Sequence, residues 1–157
     1  MRYLKRLDLE NIQNARDMGG VATLDKKATA WHKIIRSASL DDVKEVDIKA
    51  LKDLNITTII DLRRENELKL DTPSHKLIKE NFDFHHISLA PDKEFRQEEI
   101  DKIISGKMTV GQSYRNLIDH FVAVKEIMEV IANAEGSVLY HCQEGKDRTC
   151  LLYTSPS

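Results

Sequence analysis

Ser137-Val138-Leu139-Tyr140-His141 runs directly into Cys142-Gln143-Glu144-Gly145-Lys146-Asp147-Arg148-Thr149, and the reading of this stretch decides the fold. The first five residues form an apolar run of strand length, entered from Gly136. The eight that follow are polar and contain a glycine, so the strand gives way to a tight loop. Five residues separate Cys142 from Arg148. A loop of that length can curl so that its backbone N–H groups point inward and cradle a tetrahedral dianion. Gly145 permits the backbone angles that such a curl requires. Arg148 has a planar fork able to hold two oxygens of the anion at once, which lysine lacks. At the bottom of the cradle, Cys142 would be acidified by converging amides and positive charge. The same amides would steady a phosphoryl group for in-line attack and stabilise its equatorial oxygens.

Taken singly, Cys-x5-Arg is a common coincidence, and a cysteine ending a strand is ordinarily a small buried hydrophobe. The full string His-Cys-x-x-Gly-Lys-Asp-Arg-Thr, placed at the end of an apolar strand, is far more specific.

Upstream of that loop, residues 110–134 repeat apolar positions at 110, 114, 117, 118, 121, 124, 128 and 131, the spacing of an amphipathic helix. A polar helix is expected over about 95–104 and a strand over 82–89, with Pro91 between them. Ile56-Thr57-Thr58-Ile59-Ile60 is a β-branched run ending at Asp61-Leu62-Arg63 and reads as a buried strand. Apolar residues at 43, 46, 50, 51 and 54 predict a helix over 42–54, with Asp41 or Asp42 as its cap. Residues 31–36 can form a short strand, and Asp17-Met18-Gly19-Gly20 reads as a turn. Strands alternating with helices predict an α/β fold, with a mostly parallel central sheet flanked by helices.

The bulk properties fit one soluble domain. The chain has 157 residues, 41% hydrophobic and 32% charged, enough for a single core. Lys plus Arg number 24 against 26 Asp plus Glu, so nothing in the near-neutral balance favours nucleic acid or an anionic membrane as partner, and neither is expected. The opening Met1-Arg2-Tyr3-Leu4-Lys5-Arg6 lacks the apolar run of a signal peptide, and no stretch is apolar enough to span a bilayer. A cytoplasmic location is the default expectation, although export without a signal peptide would leave the same trace. Two cysteines near the end make no disulfide framework. His85-His86 lacks further residues at ligand spacing, so neither a metal nor another cofactor enters the expectation.

Four ordered motifs resemble one family. Asn14-Ala15-Arg16-Asp17-Met18-Gly19-Gly20, Arg36-Ser37-Ala38-Ser39-Leu40, Ile60-Asp61-Leu62-Arg63 and the loop from His141 to Thr149 are similar to those of bacterial tyrosine phosphatases. These are atypical relatives of the dual-specificity phosphatases, and the resemblance covers most of residues 11–149. It implies hydrolysis of phosphomonoesters: phosphotyrosine, in some members phosphoserine or phosphothreonine, in others phosphoinositides. On this resemblance Cys142 attacks phosphorus to form a cysteinyl-phosphate, and Arg148 holds the transferred group. Asp147 then acts as general acid and afterwards as base for water, unless it merely balances Lys146 and Arg148.

The remaining loop residues Gln143, Glu144, Gly145, Lys146 and Thr149 would contact the phosphate. Lys146 adds charge there or is simply solvated; Thr149 bonds the sulfur or caps a helix. His141 would buttress the loop. Asp61 and Arg63 follow a buried strand, where open sheets place ligand-contacting groups. The alternative for this pair is a structural ion pair with the Asp17 region. Arg16 and Asp17 would organise a loop rather than react.

Two departures from the family stand out. Glu144 takes the place of the usual alanine and brings a second negative charge near the dianion. After Thr149 the family continues into a long apolar helix whose N-terminus faces the phosphate. Here Cys150-Leu151-Leu152-Tyr153-Thr154-Ser155-Pro156-Ser157 instead resembles the conceptual translation of a transposase sequencing adaptor. The expectation is therefore a phosphatase portion over 1–149, an adaptor-derived tail over 150–157, and a gene that continues with the missing C-terminal helices. The chain as written should then be unstable or nearly inactive, and an unrelated nucleotide string beneath the last eight codons would refute the adaptor reading. The competing functions are a rhodanese or arsenate-reductase-like cysteine enzyme and a phosphate-binding module without turnover. The cysteine enzymes do not require the Gly-Lys-Asp-Arg run, and with both Cys142 and Arg148 present the sequence carries no sign of the module's loss of turnover.

Overall fold

The protein is represented by a computed structural model that describes residues 5–89, 93–112 and 122–143, with the backbone alone for 93–96 and 99. The loop expectations at 144–149 and the tail at 150–157 lie outside the described residues.

Among the described residues five strands form one sheet: β1 (Arg16–Asp17), β2 (Ile34–Ser37), β3 (Ile56–Asp61), β4 (Asp83–His86) and β5 (Ser137–His141), in the order β1-β2-β5-β3-β4. β5 runs parallel to β2 and β3, β3 runs parallel to β4, and only β1 is antiparallel to its neighbour. All five residues of β5 are buried. That is why the strand reads as a continuous run instead of an alternation: a central parallel strand is covered on both faces. The β-branched residues of β3 suit the same setting. The expected α/β class and parallel sheet are therefore what the chain forms.

Among the described residues the helices include α1 (Glu45–Asp53), α2 (Pro73–Asn81), α3 (Lys93–Ile104) and α4 (Val122–Asn133). α1 starts three residues later than the sequence predicts, and neither Asp41 nor Asp42 caps it. Lys44 is the N-cap, and Asp47, in the first turn, reaches back to it: its Oδ2 accepts the Lys44 N–H at 3.0 Å and also ties down Asn11 through the Nδ2 amide at 2.9 Å. α2 was not foreseen, although Thr72-Pro73 carried the signal. The Thr72 hydroxyl accepts the His75 N–H at 3.2 Å, and Pro73 occupies the first turn. Only Ile78 of α2 is buried, so the helix has little apolar periodicity to read. Of the long helix expected over 110–134, residues 110–112 and α4 are described as helical, and 113–121 lie outside the described residues.

Alternation along the strands divides the core in two. Ile35, Ile59 and Leu139 face α1 and α2, packing with Leu51, Ile48 and Ile78. Ile60, Val138, Tyr140 and Cys142 face the other way, against Ile127 and the apolar side of α4. Each fully buried aliphatic side chain contributes roughly 1.5–3 kcal/mol. Among the described residues no helix is long and apolar enough to cross a membrane.

The Asp17-Met18-Gly19-Gly20 turn lies against Trp31. A Cβ on Gly19 would stand 2.5 Å from the Trp31 Cα, and Gly20 has φ +71° with the Trp31 indole ring crowding its own Cβ position. Backbone cannot swing aside as a side chain can, so Gly19→Ala is expected to destabilise the fold by about 1–3 kcal/mol. Thermal melting checks this; an unchanged midpoint would mean that the Trp31 segment shifts at no cost.

Candidate functional site

Three parallel strands end at one level. In register, His141 of β5 stands beside Ser37 of β2 and Asp61 of β3. The stitching continues past the sheet: the Leu62 N–H donates to the His141 carbonyl at 2.8 Å, and the Ser39 N–H to the Gln143 carbonyl at 3.0 Å. Segments leaving the carboxyl ends of parallel strands border the crevice where such sheets bind ligands. A cleft of about 1360 Å³ opens there, with Gln143, Ser39, Asp41, Asn14 and Ser74 among its lining residues.

Period-two geometry sends neighbouring side chains to opposite faces. Cys142, 3% exposed, shares its face with Val138 and Tyr140. His141 meets Asp61 across the sheet, its Nε2 lying 3.5 Å from Asp61 Oδ2. The His141 Nδ1 donates to the Cys142 carbonyl at 3.2 Å, since a carbonyl oxygen can only accept. His141, itself buried, is thus bonded to the Cys142 peptide, as the expected buttressing role requires.

The Asp61 side is organised by Arg63. Its Nε donates to Asp61 Oδ1 at 3.0 Å and Nη2 to Asp61 Oδ2 at 2.8 Å. Asp41 receives Nη1 at 3.0 Å and Nη2 at 3.2 Å, and the remaining Nη1 donor reaches Gln143 Oε1 at 3.1 Å. A guanidinium has five N–H donors, and protein acceptors engage them all. Burial works against charge on both partners. For Asp61 it is outweighed by the charge of His141 and by the hydrogen bonds and charge of Arg63, which hold the carboxyl below its usual range. For Arg63 the hydrogen bonds to Asp61 and Asp41 prevail, and the guanidinium is held more firmly protonated than usual.

Residues 7–154 match a family model described as "Tyrosine phosphatase family". This chain belongs to that family. A tyrosine-protein phosphatase of Nostoc commune is 28% identical to it over 120 residues, which cover 75% of this chain and 40% of that one. The chain therefore spans about two fifths of the length of the curated relative it matches. Among solved structures, a Neisseria meningitidis Z2491 protein described as a candidate phosphatase aligns at 21% identity, covering 77% of this chain and 68% of that one, with a TM-score of 0.46. The kinase associated phosphatase, crystallised with its catalytic-site cysteine replaced by serine, aligns at 18% identity, covering 79% and 62%, with a TM-score of 0.44.

Within this member of the tyrosine phosphatase family the candidate residues fall into three groups. Cys142, His141, Gln143, Asp61 and Arg63 converge at the strand ends. Glu144, Gly145, Lys146, Asp147, Arg148 and Thr149 lie outside the described residues. Asp17 stands apart from Arg63, contrary to the ion pair considered from sequence. Its carboxylate accepts the Gly19 N–H at 2.8 Å and the His32 N–H at 2.9 Å, and its Oδ2 lies 2.7 Å from His32 Nδ1. That loop-organising duty is the one its sequence suggested. His85 and His86 diverge as successive strand residues must: one ring faces Asp83, the other the Arg63 carbonyl.

Asp41 was missed as a site residue. Its sequence signal, an acidic pair just after Arg36-Ser37-Ala38-Ser39-Leu40, reads equally well as a helix cap, and only the fold brings it to Arg63.

Burial pushes the His141 imidazole below its ordinary value of 6.5; the charge of Asp61 opposes this and that of Arg63 reinforces it. The consequence for stability has a definite sign. Below pH 6.5 the unfolded chain protonates this histidine while the native one resists, so acid favours unfolding. The loss amounts to at most about 1.4 kcal/mol per pH unit while the window lasts. His75, also lowered by burial and by Lys79, adds to it with the same sign. Asp61 adds a second loss from 3.8 downward. Melting between pH 7 and 5 should show a falling midpoint, and His141→Asn should flatten most of that slope.

Proposed function

We propose that this chain is a cysteine-dependent phosphatase that hydrolyses phosphomonoesters, with phosphotyrosine as its first substrate class and phosphoserine, phosphothreonine or phosphoinositides as its possible range. The Cys142 thiolate attacks phosphorus while the P–O bond to the leaving group breaks, and Asp147 gives that oxygen its proton. Water then attacks the cysteinyl-phosphate and loses its proton to Asp147, releasing phosphate and restoring the thiolate. Arg148 and the loop amides hold the three equatorial oxygens throughout.

One observation carries the reading: in a member of this family, Cys142 stands at the carboxyl end of the central parallel strand, with the residue after it bonded to the segments leaving both neighbouring strands. A cradle needs a fixed first residue if the amides that follow are to converge.

Arg63 contributes differently from the sequence expectation in this proposal. With its donors occupied, it supports the loop from behind and leaves phosphate to Arg148.

Phosphate release by the full-length protein, with its downstream sequence restored, from a phosphotyrosine peptide, a phosphoserine peptide and a short-chain phosphoinositide tests the reading, with thiosulfate and arsenate assayed in parallel. Release from the first is the expected result. Tight phosphate binding without release would replace it with a binding module; sulfur transfer or arsenate reduction would replace it with another cysteine enzyme.

A further inference from the structure

We propose that Asp41 is a positioning residue of this active site, acting through Arg63 on Gln143, the residue that follows the nucleophile. The inference rests on the phosphatase reading above. Gln143 is exposed, yet it is held at two points. Its carbonyl accepts the Ser39 N–H at 3.0 Å, and its side-chain oxygen accepts from Arg63 Nη1 at 3.1 Å. Both holds trace back to the short segment after β2. Ser39 supplies one directly; Asp41, two residues on, supplies the other by engaging both terminal nitrogens of Arg63.

Asp61 alone would fix the Nε and Nη2 edge of the guanidinium and leave Nη1 with only Gln143. Asp41 closes the other edge. Its side chain is 10% exposed, and Lys69 Nζ stands 3.7 Å from its Oδ2. Asp41, Ser39 and Gln143 also line the same cleft, so the brace forms part of its wall. A carboxylate here carries an electrostatic penalty, because negative charge near the nucleophile disfavours a thiolate and a bound dianion. Its contribution must therefore be geometric, and the two effects have opposite signs.

That opposition makes the test decisive. The rate of Cys142 alkylation by iodoacetamide, measured against pH, reports the thiolate without needing turnover. If Asp41 positions the loop, Asp41→Ala shifts the alkylation midpoint upward and lowers kcat about 10- to 100-fold, with KM little changed. If it acts by charge alone, the midpoint moves downward, and the proposal is overturned. A lower melting temperature with midpoint and kcat unchanged overturns it as well.

Gln143→Ala combined with Asp41→Ala should be no worse than the more damaging single change, because both break one chain of contacts. Additive losses would show that Asp41 acts elsewhere. Should Asp41→Ala not fold, Asp41→Asn keeps the volume and one acceptor, and the same sign of midpoint shift, smaller in size, is expected. If the parent protein releases no phosphate but Asp41→Ala still moves the alkylation midpoint upward, the brace stands and the hydrolysis reading fails.

Discussion

Cys142→Ser is expected to abolish phosphate release, by about four orders of magnitude or more, while the protein still folds. The two side chains differ by one atom, but a thiol in a cradle of amides and cations is readily ionised near neutrality and a hydroxyl is not. Without ionisation the attacking oxygen must lose its proton in the same step, and no group has been assigned to take it. The packing cost is smaller. Cys142 lies among Tyr140, Val138 and Ile127, where a hydroxyl is less welcome than sulfur and costs about 1–3 kcal/mol if it finds no partner. Initial rates with a phosphotyrosine peptide, read beside a thermal melt of the same sample, separate the two effects. Retention of the parental rate by the serine variant would end the covalent mechanism.

Arg63→Ala should be the most damaging single change to stability outside the apolar core, at about 3–5 kcal/mol. Arg63 is 3% exposed, and it stands between Asp61, 2% exposed, and the largely covered Asp41. Removing the guanidinium leaves two carboxylates facing each other out of water, with Lys69 near only one of them. Arg63→Lys restores little, since one ammonium cannot serve three acceptors spread along both edges of a planar fork. The pH dependence carries a second signature. Arg63's hydrogen bonds and charge are part of what holds Asp61 below 3.8 against burial, so the variant should lose less stability than the parent as pH falls below that value. Denaturation in urea at two pH values measures both; an Arg63→Ala protein as stable as the parent would show that water replaces the guanidinium at no cost.

Much of this was legible in the chain. β3 and β5 announce themselves through runs such as Ile56-Thr57-Thr58-Ile59-Ile60, because burial on two faces demands apolar and β-branched residues whatever the tertiary details. Cys142 and His141 were legible for another reason: a strand must end where its apolar run ends, so the residues after it stand at the sheet's carboxyl edge. α2 escaped because a lightly buried helix needs only a cap and a proline to start it. β1, two residues long, escaped because it is defined by its partner and not by its own composition.

Local chemistry, the order of strands along the chain and the position of Cys142 relative to its strand were set by the sequence alone, since each depends on residues adjacent in the chain. Which carboxylates surround Arg63 was decided only in three dimensions. Asp41 and Gln143 lie far from it in the chain, and a hydrogen-bonding fork accepts any carboxylate the fold delivers. Placing β5 between β2 and β3 brings all three trailing segments to one edge, and that placement turns an ordinary aspartate after Leu40 into part of the site.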